Sequence, residues 1–455
     1  MSAPALLRKG WCPGALRPMQ TGDGLLVRLR PTGGILSFEA ARAIAECARQ
    51  FGNGLIDLTT RANLQLRGLT QMTLGPLAER LSEQGLIDGD PAAEAVRNVI
   101  ASPLAGLDAS ACLDIRPAVA ALEKRLTDDP SLHRLPARFL FLIDDGGGLS
   151  LGDVDADIRF DAVSTTDGPR FVVSLAGHDE TVCVCASWAV PEVAAAIAEA
   201  FLSLGGGAKA PQRVRDLSRP LCAHWAEIFA RREAAAAESG AFSLGVPPQE
   251  QSAGLRRVKR TAPGAEELLG THSFGARCRV GAAAPFGRLT AGDLDRLAGI
   301  AARCGARDLR VTPWRAILVT GLSESSAQAL LAGLSETDLI LDPVDTRLLA
   351  SACPGAPACA SATIASRRDA TRLAPLLRRM ACGGPVLHVS GCAKGCGQSR
   401  PAPITLVGNA GCYDLVRDAT ARDVPVAAGL SLNAVEVLLR RLLENPAEKL
   451  VVGAR

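Results

Sequence analysis

The sequence contains no apolar run of about 18 residues, so it predicts no membrane-spanning helix. The amino-terminal residues MSAPALLRKGWCPG also lack an apolar segment long enough for a signal peptide, and we expect a cytoplasmic protein without a membrane partner. The net charge is only +3, from 50 basic and 47 acidic side chains, which gives no indication of nucleic-acid binding. Aromatic residues are few, at 4%, but hydrophobic residues make up 48% of the 455 residues, which is enough for several cores.

Histidines are too few and too scattered to predict a metal site by themselves. No two of the five lie four residues apart, so any site containing two histidines and a carboxylate would have to be assembled from distant segments. No G-x-G-x-x-G follows a predicted strand, and direct nicotinamide binding is therefore not expected. The five histidines are His133, His178, His224, His272 and His388.

Two segments, 34–69 and 287–322, align without a gap at an offset of 253 residues. Each predicts an amphipathic helix followed by two short strands, and the extended segment GLLVRLRP precedes the first copy. The unit is therefore β-α-β-β, half of an α+β sandwich. The matching positions include Gly34 with Gly287, Leu36 with Leu289, and Gly52 with Gly305.

Two further units, which mix helices with apolar strands, lie between and after the repeated segments. The order is thus A-B-A′-B′, a doubled protein, with a linker at ESGAFSLGVPPQEQSAG, which is rich in Gly, Ser, Pro and Gln. The predicted boundaries are 15–75 for the first half-repeat, 78–230 for the first α/β domain, 231–266 for a helix end and linker, 267–330 for the second half-repeat, and 336–450 for the second α/β domain.

Four of the 14 cysteines form a C-x5-C pair and a C-x3-C pair, separated by 32 residues. Structural disulfides are not expected in a cytoplasmic chain. Four thiolates from two loops suit either a zinc ion or an iron–sulfur cluster, and the wide first spacing favours the larger cluster over zinc. Buried, inert thiols are a third interpretation. The four residues are Cys353, Cys359, Cys392 and Cys396.

The segments around these cysteines, ACPGAPAC and SGCAKGCGQSRPAPITLVG, resemble the cluster signature of the siroheme-dependent sulfite and nitrite reductases. LTTRANLQLRGL, RNVIASPLAG and LPARFLF are similar to three other segments of that superfamily, whose A-B-A′-B′ order also matches. The resemblance implies an α+β / α/β fold of the nitrite/sulfite reductase type. It would contain two ferredoxin-like half-repeats and two mixed α/β domains, with a [4Fe–4S] cluster on the four cysteines of the second.

The same resemblance implies that basic residues of these segments bind the carboxylates of a tetrapyrrole. Arg61, Arg97 and Arg138 occupy the matching positions, and a planar guanidinium suits bidentate carboxylate binding. A solvated turn or ordinary surface ion pairs are the alternative for these arginines. Cys396 would face the macrocycle, and no catalytic residue is identified. Further candidates for substrate binding are Arg28, Arg30, Asn63, Gln65, Lys394, Gln398 and Arg400.

One position departs from the reductase pattern. The reductases typically carry two basic residues around a phenylalanine, whereas this chain has Arg138-Phe139-Leu140. An apolar residue is a poor choice in a pocket for a small anion, because a lost cation leaves charge unpaired. The opening segment RKGWCPGALRPMQTGDGLLVRLRP is instead similar to that of the oxygen-dependent branch of the superfamily, which acts in cobalamin biosynthesis.

That branch implies a monooxygenase for which the tetrapyrrole is the substrate. Precorrin-3A would be hydroxylated at C20, with γ-lactone formation, to give precorrin-3B. O2 would be the co-substrate, NADH would donate electrons through a partner reductase, and a mononuclear non-heme iron would accompany the [4Fe–4S] cluster. The alternatives are a siroheme-dependent sulfite or nitrite reductase and a non-catalytic tetrapyrrole-binding or electron-transfer protein.

Overall fold

Two five-stranded antiparallel sheets form the centre of the fold, and each is built mainly from one of the two repeated segments. The computed structural model describes residues 12–178, 181–204, 212–217, 225, 260–380 and 385–444. His224 and the predicted linker segment 238–254 lie outside the described residues.

The first central sheet takes four strands from the first repeat and one from the second. In spatial order its strands are Met19–Thr21 (β1), Gly24–Leu29 (β2), Leu64–Leu69 (β5), Leu55–Leu58 (β4) and Arg288–Thr290 (β13). The second central sheet has the converse composition. Its strands are Gly270–Phe274 (β11), Arg277–Ala283 (β12), Ala316–Leu322 (β15), Leu309–Val311 (β14) and Ile35–Leu36 (β3).

The two repeats exchange their short strands, β3 and β13. Leu289 of β13 pairs with Ile56 in the first sheet, and Leu36 of β3 pairs with Leu309 in the second. Leu36 and Leu289 are the positions that the repeat aligned, so the exchange is symmetric. The expectation of two ferredoxin-like half-repeats is confirmed, and the two halves complete each other's sheets.

The main helices of the two repeats pack against each other over one shared hydrophobic core. The first begins after Ser37, whose hydroxyl accepts a hydrogen bond from the amide of Ala40, and the second begins at a capping box of Thr290 and Asp293. In chain order, the α-helices of the described residues are Phe38–Phe51 (α1), Gln71–Glu83 (α2), Pro91–Val96 (α3), Arg116–Asp128 (α4), Val190–Ser203 (α5), Ala265–Leu268 (α6), Ala291–Arg303 (α7), Glu324–Leu334 (α8), Ser366–Leu373 (α9) and Leu432–Glu444 (α10).

The other two units each contain a five-stranded mixed sheet, and the two sheets share one topology. Three strands are parallel and the last two are antiparallel to their neighbours. The strands of the first α/β unit are Val99–Ala101 (β6), Phe141–Asp144 (β7), Ile158–Thr165 (β8), Gly168–Leu175 (β9) and Thr181–Cys185 (β10). Those of the second are Ala350–Ala352 (β16), Leu387–Ser390 (β17), Ala402–Asn409 (β18), Cys412–Ala419 (β19) and Ala427–Leu430 (β20).

Two of the predicted domain boundaries fall inside helices. The boundary near residues 75–78 cuts α2, whose Leu77 and Leu81 are buried in the shared core of the repeats. The predicted end at residue 330 cuts α8, whose Leu334 belongs to the same core. We therefore propose boundaries after α2 and after α8. In the described part of the chain, no helix is both long enough and apolar enough to cross a membrane.

Candidate active site

A cavity of about 2100 Å³ opens where the four units meet. It brings together the turn at Thr60–Arg61, the segment 136–140, the equivalent turn 313–315 of the second repeat, and the segment 397–400 after the last cysteine pair. Its volume exceeds the roughly 300–1,000 Å³ that is typical of pockets for drug-sized ligands. A macrocycle with several carboxylate side chains would therefore have room.

The cavity is lined by many arginines, which partly neutralise acidic neighbours. Arg213 forms a 2.9 Å ion pair with the fully buried Asp157, and Arg215 lies 3.5 Å from Asp155. The arginines that line the cavity are Arg61, Arg138, Arg213, Arg215, Arg315, Arg378 and Arg400.

Arg61 retains hydrogen-bonding capacity for a ligand. Its Nη2 donates to the backbone carbonyl of Arg138 at 3.0 Å, whereas its buried Nη1 has no partner among the described residues. Burial lowers the pKa of Arg61 to about 10, which still leaves it charged near neutrality. A buried donor without a partner is costly, so an acceptor brought by a ligand would stabilise this group.

The predicted candidates around strand β2 are already paired with protein groups. With the Gln65 amide suitably oriented, its oxygen accepts from Nε and Nη2 of Arg28 at 3.2 and 2.8 Å. Arg30 is buried, pairs with Glu94 at 3.3 Å, and does not line the cavity. Asn63 is also buried, and its backbone closes the turn that presents Arg61.

The structure places Arg97 away from the cavity. It pairs with Asp88 at 2.9 Å and with Glu123 at 3.3 Å, and it donates to the carbonyl of Arg30. These contacts occupy the guanidinium and fix the start of β6 against the first repeat. Arg97 is therefore not part of the proposed substrate site: no residue of its segment, 97–106, lines the cavity, and its side chain binds two carboxylates.

The four predicted cysteines lie close together beside the cavity. Burial raises the pKa of Cys396, and the neighbouring thiols of Cys353, Cys392 and Cys359 add to the increase. The Sγ of Cys353 accepts a hydrogen bond from the amide of Gly391 at 3.1 Å. Such contacts tune a sulfur ligand once it is deprotonated.

Two glycines let the cysteine loops approach each other. A Cβ on Gly391 would lie 2.5 Å from the Cβ of Ala362, and a Cβ on Gly397 would lie 2.8 Å from the amide nitrogen of Cys353. Both distances are shorter than real carbon contacts allow. The loops that carry the first and second cysteine pairs are thus packed at backbone distance.

The donor set fits a cluster better than a single ion. Among the described residues, no three His, Cys, Asp or Glu side chains converge tightly enough to hold one metal ion. A [4Fe–4S] cube takes one thiolate at each of four irons, so its ligands stand further apart than those of zinc. The same finding leaves the predicted mononuclear iron without a candidate ligand set in the described residues.

The remaining candidates follow the last cysteine. Gln398 and Arg400 line the cavity, and Gln398 accepts from the hydroxyl of Ser351 at 2.8 Å. Arg400 lies 3.9 Å from Asp155 and also donates to the carbonyl of Asp153. Lys394 points elsewhere, to the hydroxyl of Ser361 at 2.8 Å in the loop after Cys359.

Sequence reasoning missed several cavity residues, including Arg213, Arg215 and Arg378. These residues lie in segments that match no motif, and only tertiary packing brings them to the cavity. The alignment of the repeats does point to Arg315, because the turn that carries it matches the turn that carries Arg61.

Comparison with known proteins identifies the family to which this chain belongs. The family described as nitrite/sulfite reductase ferredoxin-like half domain matches residues 17–84 and 275–337, the two repeats. A precorrin-3B synthase from Sinorhizobium sp. is 33% identical over 431 residues, which cover 93% of this chain and 86% of that protein. This chain belongs to the precorrin-3B synthase family. A ferredoxin–nitrite reductase from Synechococcus elongatus is more distant, at 29% identity over 86% of this chain and 77% of the reductase.

The solved structure of the NirA protein of Mycobacterium tuberculosis has the same fold as this precorrin-3B synthase family member. The TM-score is 0.71, and the match covers 95% of this chain and 82% of NirA. At 22% identity this likeness concerns the fold alone. It confirms the predicted nitrite/sulfite reductase-like architecture.

Proposed function

We propose that this chain is a cytoplasmic, oxygen-dependent monooxygenase that converts precorrin-3A to precorrin-3B. The reaction adds a hydroxyl at C20 of the macrocycle and closes a γ-lactone. One atom of O2 enters the product, the other leaves as water, and NADH supplies two electrons through a partner reductase. The observation that carries the proposal is the arginine-lined cavity between the Thr60–Arg61 turn and the last cysteine loop, in a chain 33% identical to a precorrin-3B synthase.

Substrate binding is assigned to the arginines of the cavity. Precorrin-3A carries acetate and propionate side chains, and a guanidinium binds a carboxylate through two parallel hydrogen bonds. Arg61 contributes its Nη1, which has no partner within the described part of the chain, and Arg138 lies exposed beside it. Gln398 and Arg400 face the cavity from the opposite loop. These groups would fix the plane of the macrocycle against the cysteine loop.

The four cysteines would hold a [4Fe–4S] cluster, which supplies electrons one at a time when it is bound. The protein's own contribution is to hold Cys396 at the end of a loop that continues into the cavity wall at Gly397 and Gln398. A tetrapyrrole bound there would therefore lie close to the loop that carries the last ligand.

An apolar part of the cavity wall favours a neutral co-substrate over a small anion. Leu140 is buried in a small apolar cluster, and Val154 and Trp314 pack against this cluster. All three residues line the cavity. Sulfite or nitrite would need a cation there, whereas O2 needs none.

The proposal is tested by anaerobic purification, followed by iron, sulfide and absorbance analysis. Precorrin-3A, NADH, an electron-transferring reductase and 18O2 are then added. We expect four irons per chain in a cluster, no siroheme band, and a hydroxylactone that carries one 18O atom. A protein that binds four irons but leaves precorrin-3A unchanged under these conditions would refute the monooxygenase.

A siroheme-dependent nitrite or sulfite reductase is the second candidate, favoured by the similarity to ferredoxin–nitrite reductase over most of the chain. A siroheme spectrum together with reduction of nitrite or sulfite would establish it. A non-catalytic tetrapyrrole-binding or electron-transfer protein would bind precorrin-3A, or exchange electrons, without turnover in either assay.

A further inference from the structure

The turn of the second repeat presents an arginine in a backbone conformation that arginine seldom adopts. Arg315 has φ 60°, and Ala62, its equivalent in the first repeat, has φ 53°. A side chain with a Cβ is disfavoured in this left-handed region. The two repeats therefore keep the same turn, and in the second the turn carries a long cationic side chain.

This side chain reaches the loop that carries the last cysteine. Nη2 of Arg315 donates to the backbone carbonyl of Gly397 at 3.0 Å, one residue after Cys396. On the way it passes over Gly287, where an added Cβ would lie 2.7 Å from Cδ of Arg315. Arg315 also lines the cavity, so it contacts both the cysteine loop and the space for the tetrapyrrole.

The positive charge of Arg315 is not balanced by an ion pair of its own. Within the described residues, no carboxylate lies within 4.0 Å of its guanidinium. Asp57 is near enough to act on it, but Asp57 already binds Arg67, Arg288 and Arg367. Burial lowers the pKa of Arg315, while Asp57 and Cys353 act in the opposite direction. The guanidinium is therefore a largely buried, uncompensated cation beside the thiols.

Reduction of a cluster with four thiolate ligands adds a further negative charge to an anionic group. A buried cation nearby stabilises the reduced form more than the oxidised form, because the attraction grows with the charge. We propose that Arg315 is a positioning residue that raises the reduction potential of the cluster and fixes the Cys396 loop against the tetrapyrrole cavity. This inference rests on the proposed function, since it assumes that the four cysteines hold the cluster.

The test is a potentiometric titration of the cluster, followed by electron paramagnetic resonance, in the full chain and its variants. Arg315→Asn removes the charge with a residue that tolerates the left-handed conformation, and Arg315→Gly does the same without a polar side chain. We expect each to lower the equilibrium constant for one-electron reduction about tenfold, which corresponds to about 59 mV. Arg315→Lys keeps the charge and should stay within about threefold of the wild type.

Arg61→Gln is the matched control, because it removes a cation from the same cavity and from the equivalent turn. Its hydrogen bond goes to the carbonyl of Arg138 rather than to the cysteine loop. We expect this variant to bind precorrin-3A more weakly. Its equilibrium constant for one-electron reduction of the cluster should stay within about threefold of the wild-type value. An unchanged potential in both neutral Arg315 variants, or an equal shift in Arg61→Gln, would overturn the inference. If the wild-type chain contained no iron and no sulfide, the cluster assumed in the proposed function would itself be refuted, and the role of Arg315 with it.

Discussion

Replacement of Asp57 by asparagine should destabilise the junction of three units. Asp57 is 4% exposed and lies on β4 of the first repeat. Arg288 of the second repeat donates to it at 2.8 and 3.0 Å, Arg367 of the cysteine-bearing unit at 2.9 Å, and Arg67 at 3.4 Å. Burial alone would raise the pKa of Asp57, but the three arginines outweigh burial and hold the pKa well below its usual value.

The magnitude follows from what the substitution leaves behind. The asparagine side chain would keep one acceptor oxygen but no charge. Among the described residues, Arg288 and Arg367 would then have no carboxylate partner, whereas Arg67 would keep its ion pair with Asp23 at 2.8 Å. Removal of one partner from a buried ion pair costs about 3–5 kcal/mol. We expect the free energy of the first unfolding transition in urea to fall by about that amount. Because Arg67 also donates to the carbonyl of Ala358, we expect cluster iron to be lost at lower urea concentrations.

Asp295→Asn provides a matched control on the surface. Asp295 also links the two repeats through two arginines, Arg42 at 3.2 Å and Arg49 at 3.1 Å, but its side chain is 32% exposed. Pairs of this kind contribute about 0–1 kcal/mol. Equal losses in the two variants, or a loss below about 1 kcal/mol for Asp57→Asn, would refute the reasoning.

Four other substitutions test separate parts of the structure. Burial raises the pKa of Asp145 to about 6. Between about pH 4 and 6 the folded chain therefore binds more protons than the unfolded chain, and its stability falls as the pH rises through that range. Asp145→Asn should therefore raise the melting temperature at pH 8 and have little effect at pH 4; an equal gain at both values would contradict this. Gly391→Ala should reduce bound iron several-fold, because its Cβ would lie 2.5 Å from that of Ala362, and normal iron content would exclude the clash. Cys396→Ser should abolish the cluster's electron-transfer signal and turnover together; a fully active variant with four irons would reject it as a ligand. Leu140→Arg should add measurable sulfite binding by calorimetry, and no gain over wild type would argue against the apolar wall as the barrier.

Much of the fold was predictable because its units occur twice. The offset of 253 residues identified equivalent strands and helices. In the structure, both turns have a residue with left-handed backbone at the same position, Ala62 in the first and Arg315 in the second. The exchange of β3 and β13 was not predictable, since a two- or three-residue strand pairs wherever a free sheet edge is available. The predicted limits at residues 75–78 and 330 cut α2 and α8, because the apolar face of a helix does not reveal which core the helix joins.

The candidate site was predictable where a motif carried it and not elsewhere. Spacing singled out the four cysteines, and the resemblance of LTTRANLQLRGL to a segment of the reductase superfamily singled out Arg61. Arg97 was chosen by its segment, but the carboxylates of Asp88 and Glu123 bind its side chain, and neither is adjacent to it in sequence. Arg213 has no motif, and its place depends on Asp157, 56 residues away.

The strand exchange also dictates the order in which the protein can fold during synthesis. The edge of β4 stays unpaired until β13 emerges from the ribosome, about 230 residues later. At about 5–20 residues per second, that delay is roughly 12–46 s. During that time the unpaired N–H and C=O groups of the strand edge can pair with other chains. The described strands of the intervening α/β unit pair only with one another, so this unit has time to fold before β13 is available.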